Sequence, residues 1–159
     1  AWRKPALGRA AYAGSAETNI LMPDAHAASV THDPDDPAGE PYRMFAAKRG
    51  VGPAVFRSSD GVTWRDPVKV PTPPGGDDAC LSFDPYARRY VLTFKPRRPI
   101  GKTITNPLTA EPWEIPIRHL WVSHSDDGMR HWSPWQQALV PDETDHRRAP
   151  MCTRFVSPR

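Results

Sequence analysis

The sequence predicts an all-β protein, built of short antiparallel strands and repeated in two copies along one chain. Three observations predict it. The first is proline: 20 of 159 residues, against a usual ~5%. Proline fixes φ and donates no backbone hydrogen bond, so long helices and central strands tolerate few. The prolines run from Pro5 to Pro158, singly and in pairs between short apolar stretches, which is the spacing of many short strands joined by turns. The second is periodicity. No apolar i, i+3, i+4, i+7 pattern persists over three turns, whereas alternation runs through Tyr90-Val91-Leu92-Thr93-Phe94 and His119-Leu120-Trp121-Val122-Ser123. The third is an internal repeat.

The first copy opens with Ala28-Ser29-Val30-Thr31, turns at Asp33-Pro34, and continues through Tyr42-Arg43-Met44-Phe45-Ala46 and Ala54-Val55-Phe56-Arg57 to Asp60-Gly61-Val62-Thr63-Trp64. The second opens with Cys80-Leu81-Ser82-Phe83, turns at Asp84-Pro85, and continues through Arg89 to Phe94 and His119 to Ser123, reaching Asp127-Gly128 and then Trp132. Each reads strand, Asp-Pro turn, strand, strand, Asp-Gly turn, Trp. Three or four antiparallel strands in roughly 40–50 residues is the unit of a β-propeller blade. A β-sandwich also spaces its strands this way, and the Asp-Gly-x-x-Trp punctuation favours the propeller. The sequence therefore predicts one partial propeller domain over 1–159, with blade-like repeats at about 26–67 and 78–135. Residues 99–116, with Pro99, Pro107, Pro112 and Pro116, are expected as an extended loop inserted in the second repeat, and a third blade is expected to begin at Met151-Cys152-Thr153-Arg154-Phe155.

Six Trp, four Tyr and five Phe argue against disorder, which aromatic-poor chains favour. The net charge of +3 comes from 21 basic and 18 acidic residues in scattered positions, unlike the basic stripe of a nucleic-acid binder. No apolar run approaches the ~20 residues of a membrane span. Cys80 and Cys152 form no C-x-x-C pair, so a zinc site is not expected, and their spacing leaves a disulfide between them open. No signal peptide opens the chain, which starts at Ala1 rather than Met and so reads as a processed product or a piece of something longer.

Ser58-Ser59-Asp60-Gly61-Val62-Thr63-Trp64 resembles the Ser-x-Asp-Gly-x-x-Trp turn of five-bladed glycoside-hydrolase propellers, the families related to fructosidases and arabinanases (families 32 and 43). It is also similar to the sialidase Asp-box. Ser125-Asp126-Asp127-Gly128-Met129-Arg130-His131-Trp132 has one residue more between Gly and Trp. Trp2 to Gly8, with Asn19-Ile20-Leu21 and His26, resembles the segment leading into a blade, the run from Ser82 to Tyr90 resembles the family's Asp-Pro hairpin, and His131-Trp132-Ser133 with Pro141 to Asp145 resembles a blade exit. The resemblance implies two to three blades and carbohydrate chemistry: a glycoside-hydrolase-like protein, or alternatively a non-catalytic carbohydrate-binding or scaffold propeller. It implies a carbohydrate substrate, no cofactor, and neither nucleic acid nor membrane as partner. Because a ring takes about four to eight blades, the remaining partners expected are the rest of the propeller or further copies of the chain.

The repeated motifs are structural first. Gly61 and Gly128 suit positive φ, and Asp60 and Asp127 suit bonding to their own turn amides. Glycoside hydrolysis instead needs two carboxyl groups flanking the scissile bond. In a propeller the active groups stand near the start of each innermost strand. That placement selects Asp24 and His26 before the first strand, and Asp77 and Asp78 before the second. Asp78, Asp77 and Asp24 are the candidate catalytic carboxylates, and His26 and Arg118 the candidate substrate-binding residues. Each also has a plain structural use: Asp77-Asp78 follows Pro73-Pro74-Gly75-Gly76 and suits an exposed turn, Asp24 suits a loop cap, His26 a hydrogen-bonded framework position, Arg118 a strand surface. Trp113 and Trp135 are candidates for stacking on sugar. None of Glu17, Glu40, Glu111, Glu114 and Glu143 has the setting of a general acid, which is expected outside this chain. No ligand cluster argues for calcium or another metal.

Overall fold

The computed structural model describes residues 3–74, 76–106 and 108–140, and every regular element among them is a β-strand. Nine strands follow in order: β1 (Ala25–His32), β2 (Tyr42–Lys48), β3 (Gly52–Ser58), β4 (Arg65–Lys69), β5 (Gly76–Asp84), β6 (Arg89–Thr105), β7 (Pro112–Arg118), β8 (Leu120–Ser125) and β9 (Gln136–Leu139). They form two antiparallel sheets. The first is the meander β1-β2-β3-β4, the second is β5-β6-β8-β9, with β7 pairing β6 off that path.

Side chains alternate between the two faces of a strand, and this alternation divides the core. Phe45 and Val55 face each other in the β2–β3 register and join Val70, Leu81, Tyr90 and Leu92 in one buried cluster shared by the two sheets. Met44, Ala46, Ala54 and Phe56 take the opposite face of the first sheet, covered by Met22, Val51 and Trp64. Each fully buried Phe or Leu contributes about 1.5–3 kcal/mol of hydrophobic free energy. The sheets meet along β1 and β5. There the Leu81 N–H donates to Ser29 Oγ at 2.8 Å, and the Trp135 indole N–H donates to the Pro71 carbonyl at 2.7 Å.

The loop between β1 and β2 is held by buried charge. Arg43 bonds the Asp36 carboxylate at 2.7 Å with both side chains almost wholly buried. Glu40 is 5% exposed and pairs with Arg57 at 2.8 Å and with Arg65. Removing one member of such a set strands a buried charge, at about 3–5 kcal/mol. Arg43 also lies 5.6 Å from the centre of the Tyr90 ring. Burial pushes the Tyr90 phenol up to about 12, with Arg43 opposing and Asp33 and Asp36 adding to the rise.

The two Asp-Gly turns are built alike. Ser58 Oγ accepts the Gly61 N–H at 2.9 Å, and Asp60 Oδ1 accepts those of Val62 and Thr63 at 2.8 and 2.7 Å. Ser125 Oγ accepts the Gly128 N–H at 2.9 Å, and Asp127 Oδ1 accepts those of Met129 and Arg130 at 2.8 and 2.9 Å. The backbone amides of Thr63 and Val62, with the Ser58 hydroxyl, hold the Asp60 carboxyl well below the usual carboxylate range. Partial burial pushes Asp127 up, and the amides of Met129 and Arg130 with the Ser125 hydroxyl more than reverse it, so it too stays well below that range.

Residues 99–116 correct an expectation. They are not an extended loop: β6 runs on to Thr105 and pairs with β7 as a ribbon, with Arg97 opposite Arg118, Pro99 opposite Pro116 and Ile104 opposite Trp113. Each strand of a two-stranded ribbon has one unpaired side, so prolines fit wherever a missing N–H faces away from the partner. The segment Met151 to Phe155, expected to open a further blade, lies outside the described residues.

Candidate functional site

The contact between β1 and β5 sets the site. The Leu81 N–H reaches Ser29 Oγ between the two strands, and His26 and Asp78 line one cavity beside that contact. Both strands break register here. The β1–β2 ladder shifts between His26 and Ser29, and the β5–β6 ladder between Gly76 and Ala79. Such bulges bend a strand and re-aim its side chains. Asp24 and Ala27 adopt φ of 59° and 52°, a left-handed conformation costing non-glycine residues roughly 1–2 kcal/mol each. In β5 the close approach is met by glycine itself: a Cβ on Gly76 would lie 2.1 Å from the Phe94 ring.

Between the bulges lies a cavity of about 200 Å3. Phe45 and Phe94, 1% and 6% exposed, make its floor together with Ala47 and Pro53. His26, Asp78 and Thr72 bring polar groups to its edge. Lys95 Nζ lies 3.2 Å from Asp78 Oδ2, and because Asp78 is largely exposed this pair contributes about 0–1 kcal/mol. The pair sets the Asp78 carboxylate beside the Lys95 ammonium.

The fold therefore brings His26 and Asp78 together. Asp77 is next to Asp78 in the bulge of β5, and its side chain lies outside what is described. Asp24 is exposed at the start of β1, where its carbonyl accepts the Arg49 N–H at 3.1 Å, and it does not line the cavity. Arg118 ends β7 opposite Arg97, and its side chain also lies outside the described set. Trp135 packs at a tilt against the cavity floor, its ring centre 5.9 Å from that of Phe94. Trp113 stands on the ribbon.

Two residues escaped sequence reasoning. Lys95 directly follows the alternating run of β6, and only the β5–β6 register places it against Asp78. Thr72 sits in Pro71-Thr72-Pro73-Pro74, a connection that reads as featureless until β4 and β5 are placed.

The chemistry available follows from these groups. A carboxylate accepts hydrogen bonds from hydroxyls and can take a proton, an imidazole donates or accepts, and a threonine hydroxyl does both. An apolar floor with a few convergent polar groups is the usual build of a small-ligand site. Asp78 is the one carboxylate of the described lining. Among the described residues no group of three or more His, Cys, Asp or Glu is placed to hold a metal ion, and no helix is long and apolar enough to cross a membrane. No protein-family model, curated protein or solved structure matches the chain.

Proposed function

We propose that the chain is part of a glycoside-hydrolase-like β-propeller, and that the cavity between β1 and β5 receives a sugar ring of an oligosaccharide or polysaccharide. One observation carries the reading: His26 and Asp78 come from equivalent positions of two successive sheets and edge the same cavity. Two four-stranded meanders set side by side along their first strands suit adjacent blades of a ring, and the start of the first strand is where such a ring gathers its reactive groups. The apolar ring face of a sugar suits the Phe45 and Phe94 floor, and its hydroxyls suit His26, Thr72 and Asp78. In this reading Asp78 acts on the glycosidic bond as base or nucleophile, and Asp77, beside it in β5, and Asp24, just before β1, are the candidates for a second carboxylate.

Asp78→Asn keeps the shape and removes the charge. It is expected to lower hydrolysis of a susceptible oligosaccharide by about 100-fold or more while leaving binding within a few-fold. Hydrolysis at the wild-type rate would overturn the assignment. The second reading is a saccharide-binding module without turnover. It is favoured by the single carboxylate of the described lining, already paired with Lys95, and binding without product release would establish it.

A further inference from the structure

The two sheets are copies in register as well as in order. Tyr42 stands opposite Ser58 and Tyr90 opposite Ser125, each serine opening its Asp-Gly turn. The first strands add His32 against Tyr42 and Phe83 against Tyr90, ring centres 4.8 and 5.0 Å apart. Counting along the paired strands from these anchors makes Val30–Met44 the counterpart of Leu81–Leu92, and Phe45–Val55 that of Thr93–Val122. Val70, whose N–H donates to the Pro53 carbonyl at 3.1 Å, corresponds to Leu139 opposite Leu120. Directly opposed residues share a face of their sheet. The seam between the sheets takes Phe45, Val55 and Val70 from the first and Leu81 and Leu92 from the second. Their counterparts stand on the two outward faces, Val30 and Met44 on the first sheet and Thr93, Val122 and Leu139 on the second. Single exposed apolar side chains are ordinary. Here exposure follows the repeat: Val30 is 55% exposed where Leu81 is 2%, and Leu139 is 65% exposed where Val70 is 3%. The outward faces thus hold the two halves of a second seam. Trp64 covers part of the first half, and its counterpart Trp132 packs beside the existing seam without displacing the sheet opposite.

We propose that a second copy of this chain docks here head to tail, the Val30 face of one copy against the Leu139 face of the next. Both halves are present on one chain, and each repeats the half that already packs in the seam. Such a contact is heterologous, so every copy keeps one free half until a ring closes. With two sheets in each chain, two copies bring four and three bring six, both within the roughly four to eight of a closed ring. The second seam is the weaker one. It has Thr93 where the first has Phe45, and Val91 where the first sets Arg43 against the Tyr90 ring. The association is therefore reversible, and it stands whatever the cavity binds.

The test is sedimentation velocity of the chain from about 5 to about 500 μM, over which mass action should carry it from the mass of one chain to that of two or three. Val30→Glu and Leu139→Glu, each a charge at an exposed position, should each hold it at one chain. An equimolar mixture of the two should restore a two-chain species, because the first variant keeps the Leu139 face and the second keeps the Val30 face. A single self-complementary patch would not be rescued in this way. The milder Leu139→Ser should weaken association about tenfold or more, and Leu108→Glu, exposed at the ribbon tip, should associate as the wild type does. Near-UV circular dichroism at the lowest concentration separates loss of the contact from loss of the fold. One-chain mass throughout would overturn the inference and leave the outward faces to the sheet of a different chain. Association that survives either Glu variant, or that the mixture does not restore, would overturn the head-to-tail arrangement.

Discussion

Met44 and Phe45 are neighbours in β2 and both are buried, at 5% and 1% exposure, one on each face of the first sheet. Val91 and Leu92 are neighbours at the matching place in β6, and only Leu92 joins a buried cluster. The two sheets share strand order and antiparallel sense, so pairing is not what separates them. Cover is. The first sheet lies between the second sheet and a layer that includes Met22, Val51 and Trp64, whereas the reverse face of the second presents Cys80 and Ser82 as exposed residues. Among the described residues the second sheet is thus fully paired but packed on one face, against the first sheet.

The sharpest break of this comparison is in the core. Leu92→Ala should cost about 2–5 kcal/mol in urea unfolding, and Val91→Ala less than about 1 kcal/mol. Met44→Ala should match Leu92→Ala although it faces away from the second sheet. Equal losses at Val91 and Leu92 would mean that the reverse face is covered in solution.

A smaller contrast lies in the turns. A Cβ on Gly128 would lie 2.7 Å from the Tyr90 ring, and one on Gly61 no nearer than 3.7 Å to Tyr42, both at positive φ. Gly61→Ala should therefore show only the left-handed cost of about 1–2 kcal/mol, with Gly128→Ala adding roughly 1–3 kcal/mol of overpacking. The thermal midpoint reads this directly, and equal shifts would remove the contact with Tyr90 from the account.

The smallest effect is acid dependence. The carboxyls of Asp60 and Asp127 are depressed in the fold, so the stability they add is present above the unfolded value of about 4 and is lost as pH falls through their folded values. Urea midpoints should decline from about pH 5 to pH 2, and Asp127→Asn should decline less over that window. A variant as acid-sensitive as the wild type would place the dependence elsewhere.

Much of this was legible from residue order. Alternation in Tyr90 to Phe94 and the two Asp-Gly turns expose the strands and the antiparallel sense, because turn chemistry and period-two burial are local. The placement of His26 and Asp78 near the starts of β1 and β5 is legible for the same reason. The bulges are not. Asp24 and Ala27 carry positive φ without being glycine, and nothing in the order Pro23-Asp24-Ala25-His26-Ala27 announces it. Nor is the ribbon, since Pro99, Pro112 and Pro116 argue against strands unless each is known to have a free side. Lys95 meets Asp78 only through the β5–β6 register, a relation that spans 17 residues and that no local pattern encodes.

The outer strands differ in a way that gives the molecule a direction. β4 is interrupted by Pro67 and flanked by Arg65, Asp66 and Lys69, and β7 carries Pro112 and Pro116, whereas Gln136-Gln137-Ala138-Leu139 of β9 has neither proline nor charge. Prolines and charges are what keep an open strand from recruiting another. Among the described residues, protection against strand addition is therefore uneven, built into β4 and β7 and absent from the sequence of β9. At the end of β9, Leu139 and Val140 are 65% and 56% exposed among the described residues.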